Sequence, residues 1–219
     1  KAAMESGVAK EPITDWEAYK ERLAERLGTG SKLMRMLMSR AKDNPKTIIM
    51  AEADHLDVLK AAQIIHDDGI GKPILLGDKK IIKELMQEIN FTADVKIVDP
   101  KSDEEAERRN RYAKVYWEKR QRNGVTLLTA QNLMRERNYF AAMMLNEGEG
   151  DSLITGYSRA YPTVVKPMIE LIGKEKGVKR IAATNIMLTK RGPIFFSDTA
   201  INIEPTAEEL ANICYMTSV

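Results

Sequence analysis

Cysteine and histidine are nearly absent from this 219-residue chain, which has one cysteine, Cys214, and two histidines, His55 and His66. One thiol excludes a disulfide framework or a cysteine-based metal site built within the chain, and its rarity suits a reducing, cytoplasmic setting. The histidines stand too far apart to share adjacent helical turns and have no cysteine beside them, so no metal is expected. Aromatic residues are scarce at 6%. No apolar run approaches the roughly 20 residues that span a bilayer, and the first residues lack the apolar segment of a secretion signal. A net charge of +2 without a basic stripe argues against nucleic acid or acidic membrane as a partner. There is no Walker A sequence, and Gly148-x-Gly150 lacks the third glycine of a dinucleotide fingerprint.

What remains is the composition of a soluble globular protein, 43% apolar and 30% charged. A chain of this length buries roughly 70% of the surface it exposes when unfolded. It opens at Lys1 and stops at Ser218-Val219 inside a helical pattern, so it is expected to be part of a longer protein. Lys1 to Gly7 reads as a helix end. Thr14-Asp15-Trp16-Glu17 has capping-box spacing and predicts a helix to about Leu27, before Gly28. A second amphipathic helix is predicted over Lys32 to Lys42, with Leu33, Met34, Leu37, Met38 and Ala41 on one face as core or interface filler.

From Asn44 onward strands alternate with helices. Thr47 to Ala51, Pro73 to Leu76 and Val95 to Val98 read as strands. Helices are predicted from Leu56 to near Gly69, from Asp78 past Ile89, and from Ser102 to about Arg122. This alternation predicts a parallel sheet covered on both faces, the α/β class. Thr126 to Arg137 reads as a further helix, and Tyr139 to Leu145 as a buried helix or a strand. Val178 to Thr189 and Pro193 to Ser197 form apolar runs joined at Lys190-Arg191-Gly192 like a hairpin. Thr206 and Glu209 have capping-box spacing for a last helix.

The stretch from Gly148 to Ile172 organises the functional reading. Leu153-Ile154-Thr155 is a short buried-strand pattern, and Val165, Met168, Ile169 and Ile172 fall on one helical face after Pro162. Between them, Thr155-Gly156-Tyr157-Ser158-Arg159 offers backbone N–H groups, a hydroxyl and a guanidinium to a phosphate or carboxylate. An ordinary turn with a surface arginine explains the same residues equally well. Arg120 and Arg122, at the end of a long helix, are either partners for ligand phosphates or cations favoured by the helix dipole. Asp198 follows a strand, where ligands bind in open α/β sheets, or it caps a loop.

Several of these stretches together resemble the phosphate acetyl/butyryltransferase family: Ile48 to Glu52, Lys72 to Asp78, Arg120 to Thr126, Tyr139 to Met144, Gly150 to Gly156, and Phe196 to Ala211. The resemblance runs from about Pro45 to Val219. Ala2 to Tyr19 and the loop Thr155 to Tyr161 are similar to the phosphotransacetylase-like C-terminal region of bacterial NADP-dependent malic enzymes (malate oxidoreductases). In that loop, phosphotransacetylases carry a histidine and small hydroxyl residues, and here Arg159 and Tyr161 stand instead.

The resemblance implies a three-layer α/β/α sandwich of the isocitrate/isopropylmalate dehydrogenase-like type with its second subdomain incomplete. Residues 1–44 would follow a malic-enzyme catalytic domain, 45–145 would form the first phosphotransacetylase-like subdomain, and 146–219 would begin the second. It further implies that the transferase serine, arginine and aspartate lie beyond Val219, so no catalytic residue is assigned here. NADP and a divalent metal would bind the upstream domain, and no cofactor is expected in this segment. The expected role is an acyl-CoA-sensing, regulatory and oligomerising domain. Acetyl-CoA would be its effector, held by Arg120, Arg122, Thr155, Gly156, Tyr157, Ser158, Arg159 and Asp198. An active phosphate acetyltransferase and a purely structural assembly domain are the alternatives.

Overall fold

Residues 15–189 and 192–218 are described by the computed structural model. They divide into two compact units, one spanning Ser39–Gly177 and the other formed by the described residues on either side of it in the chain. The expected helix end over Lys1 to Gly7 and the Thr14 cap lie outside the described residues.

Trp16–Asp43 is one helix, α1. Two helices separated at Gly28 were expected, but the helix continues through Gly28 and Gly30. Each glycine costs only about 1 kcal/mol in a helix interior, less than starting a second nucleus. On the predicted apolar face Met34 and Leu37 are exposed and Leu33, Met38 and Ala41 half-buried, so none of the five is fully buried.

In the larger unit, β1 (Lys46–Met50), α2 (Leu56–Asp67), β2 (Gly71–Leu76), α3 (Lys79–Glu88) and β3 (Lys96–Val98) alternate as the pattern predicted. Then come α4 (Ala106–Arg120), α5 (Leu127–Leu133), α6 (Arg137–Asn146), β4 (Ser152–Ile154) and α7 (Tyr161–Leu171). The four strands form a parallel sheet in the order β3-β2-β1-β4. Successive strand residues point to opposite faces. Met50 and Leu75 therefore pack with Leu59, Ala62, Ile82 and Phe91, whereas Ile49, Ile74 and Leu76 pack with Tyr112, Tyr116, Phe140, Met143 and Met144. Both faces are covered, which is why the strands read as unbroken apolar runs.

Sequence and structure differ in several local places. The charged helix stops at Arg120 and tightens into a 3₁₀ turn, Gln121–Asn123, ended by Gly124 at φ +84°. The predicted helix over Thr126 to Arg137 is two: Thr126 caps α5, and Glu136 caps α6 through Asn138 N and Tyr139 N. Tyr139 to Leu145 is helical, and every residue from Asn138 to Met144 is buried. On α7 the buried positions are Pro167 and Leu171, while Ile169 and Ile172 are exposed. The buried stripe is thus displaced from the predicted one, because periodicity identifies an apolar face but not which edge of it meets the core.

The smaller unit contains an antiparallel hairpin of β5 (Thr184–Thr189) and β6 (Gly192–Ser197), with Thr189 opposite Gly192. The final helix α8 (Ala207–Ser218) has the expected capping box. Thr206 N donates to Glu209 Oε2 at 2.8 Å and Glu209 N to Thr206 Oγ1 at 3.4 Å.

Candidate ligand-binding site

Parallel pairing of β1 with β4 brings their carboxyl ends together, with Met50 opposite Ile154. Ala51 N donates to Ile154 O at 3.0 Å. Two residues beyond each strand, Glu52 therefore meets Gly156. Glu52 is only 1% exposed. Its Oε1 accepts from Gly156 N at 2.7 Å and Tyr157 N at 2.9 Å, and its Oε2 from Ser158 N at 2.9 Å and from the Ser158 hydroxyl. Burial pushes the Glu52 carboxyl up, but the Ser158 hydroxyl and the three loop amides outweigh it and hold the group below its ordinary value.

Gly156 makes this turn possible with φ +97°. A Cβ there would approach Val164 no closer than 3.7 Å, so conformation rather than crowding selects glycine. Thr155 Oγ1 donates to Oδ1 of the fully buried Asn138 at 2.7 Å. Tyr157 extends outward, donates to Asp57 Oδ2 at 2.5 Å, and sits 5.4 Å from the His55 ring. The loop amides and the Ser158 hydroxyl that the sequence offers to a ligand are thus engaged by the chain's own carboxylate, and the Arg159 guanidinium is not.

A second carboxylate leaves β1 two residues later. Asp54 binds Arg137, the first residue of α6, through two bonds of 2.6 and 2.8 Å. Burial raises the Asp54 carboxyl pKa, and the hydrogen bond and charge of Arg137 more than reverse that. Beside the pair lies a cavity of ≈ 170 Å³ at the carboxyl ends of β2 and β3. That is where open parallel sheets bind ligands. Its walls include Lys101, Arg135, Arg137 and Arg159, together with Asp78, Asp99 and Glu136.

The three acids are committed locally. Asp78 accepts from Lys80 N and Ile81 N, Asp99 from Lys101 N, and Glu136 from Asn138 N and Tyr139 N. Asp54 neutralises Arg137. Lys101, Arg135 and Arg159 have no side-chain partner among the described residues. The cavity thus mixes both charges, with Lys101, Arg135 and Arg159 keeping uncommitted donors for a phosphate or carboxylate, and its volume suits a small anion or one end of a larger ligand.

Arg120 is placed differently. It lies 3.5 Å from Glu170 Oε1, and its buried Nε has no partner among the described residues. Glu170 Oε2 also accepts from Tyr116 and Tyr139, each at 2.8 Å. Arg120 and Lys166 flank an apolar hollow formed with Tyr161, Val165 and Ile169. Arg122 is exposed in the 3₁₀ turn. Asp198 belongs to the smaller unit and follows β6 of the antiparallel hairpin, not a parallel strand. At φ +61° its Oδ1 accepts from Asn202 Nδ2 at 2.8 Å and Asn202 N at 3.2 Å, the loop-capping arrangement.

Thr155 to Arg159 and the neighbouring Arg120 hollow thus fall within one unit. Glu52, Asp54, Lys101 and Arg135 are additions that sequence reasoning did not make. Their signal was legible: Glu52, Asp54 and Lys101 are charged residues just past predicted strands, where parallel sheets carry their sites. Among the described residues no group of three His, Cys, Asp or Glu side chains is arranged to hold a metal.

Comparison with known proteins places these features in context. The family model described as phosphate acetyl/butaryl transferase matches residues 32–219. An NADP-dependent malic enzyme of Haemophilus influenzae is 36% identical over 221 residues, covering 99% of this chain and 29% of that protein. A phosphate acetyltransferase of Thermoanaerobacterium thermosaccharolyticum is 30% identical over 187 residues, covering 83% of this chain and 56% of that enzyme. Among solved structures, the EutD phosphotransacetylase from Staphylococcus aureus aligns with a TM-score of 0.72 at 27% identity, over 84% of this chain and 55% of that one. The chain therefore spans under a third of the malic enzyme and about half of the phosphotransacetylases it matches.

Proposed function

The chain belongs to the phosphate acetyl/butaryl transferase family, and from that premise we propose that it is the acyl-CoA-sensing, regulatory and assembly region of an NADP-dependent malic enzyme. Its scaffold is then an isocitrate/isopropylmalate dehydrogenase-like α/β/α sandwich, and the parent protein works in the cytoplasm. The observation that carries this reading is the cavity at the strand ends where, among the described residues, the side chains of Lys101, Arg135 and Arg159 have no hydrogen-bonded or ion-paired partner. Such a cluster favours the phosphates of a coenzyme A thioester.

The loop from Thr155 to Tyr161 contributes to three neighbouring hollows: the one at the strand ends through Arg159, an apolar one through Thr155, Gly156 and Tyr157, and the Arg120 hollow through Tyr161. An acyl-CoA has both kinds of surface to match, charged phosphates and an apolar acyl-pantetheine arm. Regulation then requires that acyl-CoA bind two states of the parent enzyme unequally, with coupling of about 1 to 3 kcal/mol. The exposed Ile169 of α7 and Ile172 just past its end support an assembly role.

The test is calorimetric titration of acetyl-CoA into the full-length parent protein, with malate-dependent NADP reduction and acetyl-phosphate transfer followed in parallel. Binding that changes malate turnover without transfer is the expected result, and Arg159→Ala should abolish most of that response. Transfer activity would favour the second reading, an active phosphate acetyltransferase, to which the similarity over 84% of this chain to the EutD phosphotransacetylase gives weight. Neither binding nor transfer would leave assembly alone.

A further inference from the structure

Glu52 occupies the place where the loop after β4 would otherwise accept an external anion. Both carboxylate oxygens are used, Oε1 by the Gly156 and Tyr157 amides and Oε2 by the amide and hydroxyl of Ser158. This is the hydrogen-bonding pattern by which consecutive backbone amides hold a bound anion, supplied here from within the chain. Those three amides belong to no helix or strand. The loop has little apolar anchorage of its own, since Tyr157 is 58% exposed and Ser158 and Arg159 are exposed as well. Thr155 with Asn138, at 2.7 Å, Tyr157 with Asp57, at 2.5 Å, and the Tyr157 ring beside that of His55 supplement the tether.

We propose that Glu52 is an internal anion that clamps the Thr155–Ser158 loop and thereby presents Arg159 to the cavity at the strand ends, making it a positioning residue for acyl-CoA. The inference rests on the acyl-CoA reading above. Arg159 is the next residue after the clamped segment and lines the cavity that also contains Lys101 and Arg135. With the clamp in place the loop amides are not a phosphate site; the guanidinium beyond them is the ligand contact. Loss of the carboxylate would leave three N–H groups and a hydroxyl without their acceptor, and the turn at Gly156 without its fastening.

The experiment uses Glu52→Ala and Glu52→Gln in the full-length parent protein. It follows hydrogen exchange of the segment containing Gly156 to Ser158 and acetyl-CoA binding by calorimetry, with and without formate. Truncation to alanine removes a carboxylate and leaves donors that formate can fill. In Glu52→Ala, exchange of this segment should rise and acetyl-CoA binding weaken, each by about tenfold or more. Both should recover with formate and not with equal chloride. Glu52→Gln fills the space without charge, so it should weaken binding in the same direction and not respond to formate.

Native exchange in Glu52→Ala would overturn the clamp. Raised exchange with unchanged acetyl-CoA binding would overturn the positioning role, as would recovery of exchange by formate without recovery of binding. Where the alanine variant does not fold, native exchange and affinity in Glu52→Gln overturn the proposal instead. If the native protein binds no acetyl-CoA while exchange in Glu52→Ala still responds to formate, the acyl-CoA reading fails and the clamp stands by itself.

Discussion

Replacing Asp54 with asparagine should lower stability and raise anion affinity at the same time. Asp54 and Arg137 form a two-point ion pair of 2.6 and 2.8 Å, with side chains 12% and 20% exposed. Removing one partner of a fully buried pair costs about 3 to 5 kcal/mol, whereas exposed pairs contribute at most about 1 kcal/mol. Because part of the guanidinium reaches water, we expect a loss of about 2 kcal/mol, intermediate between those limits. In a chain of this length that is a fall in Tm of roughly 4 to 8 °C. Asparagine keeps the shape, so the loss reports charge and hydrogen bonding rather than a cavity.

The affinity change has a separate cause. Arg137 lines the same cavity as Lys101, Arg135 and Arg159, and without Asp54 its charge is available to a ligand. Titration of orthophosphate or acetyl-CoA should therefore show tighter binding in Asp54→Asn than in the native protein. Urea denaturation of Asp54→Asn, Arg137→Met and the double variant separates the pair energy from other effects. Additive single changes, a Tm within about 1 °C of native, or weaker anion binding in Asp54→Asn would each refute the reasoning.

Phe140 is fully buried, its ring 5.1 Å from that of Tyr112, so Phe140→Ala should cost about 3 to 5 kcal/mol by urea denaturation, well above Ile169→Ala at an exposed position. Glu52 and Asp54 are held below their ordinary values of 4.5 and 3.8, so the unfolded chain takes up protons first on acidification. Their contribution is complete above those values and is lost as pH falls through the folded ones, and a Tm-versus-pH curve should flatten there in Glu52→Gln or Asp54→Asn. Burial, then the hydrogen bond to Glu170, pushes the Tyr116 hydroxyl up from 10.0 to about 12. Its contribution is complete below pH 10 and lost as pH rises toward 12; tyrosinate absorbance should show one late-titrating group fewer in Tyr116→Phe.

Much of the fold was legible because it rests on local chemistry. Ile48-Ile49-Met50 and Pro73-Ile74-Leu75-Leu76 are apolar on both faces, and only a parallel sheet covered on both sides buries them. Asp78, Thr126 and Thr206 are helix starts whose side chains satisfy amides within three residues. Where two local signals compete, propensity misleads: Gly28 reads as a stop although α1 runs through it, and Glu136 begins a new helix inside a stretch that reads as one.

The chain alone determined the α/β class, the parallel alternation, the position of the Thr155–Arg159 loop after a strand, and the family resemblance, because each depends on residue type and short spacing. Tertiary structure decided the use of that loop. The β1–β4 register brought Glu52 across more than a hundred residues to the amides of Gly156, Tyr157 and Ser158. It likewise joined Asp54 to Arg137 and gathered Lys101, Arg135 and Arg159 around one cavity. A donor-rich loop looks the same in sequence whether its acceptor is a ligand or a distant glutamate. Which of the two it meets depends on strand order and register, which no local pattern encodes.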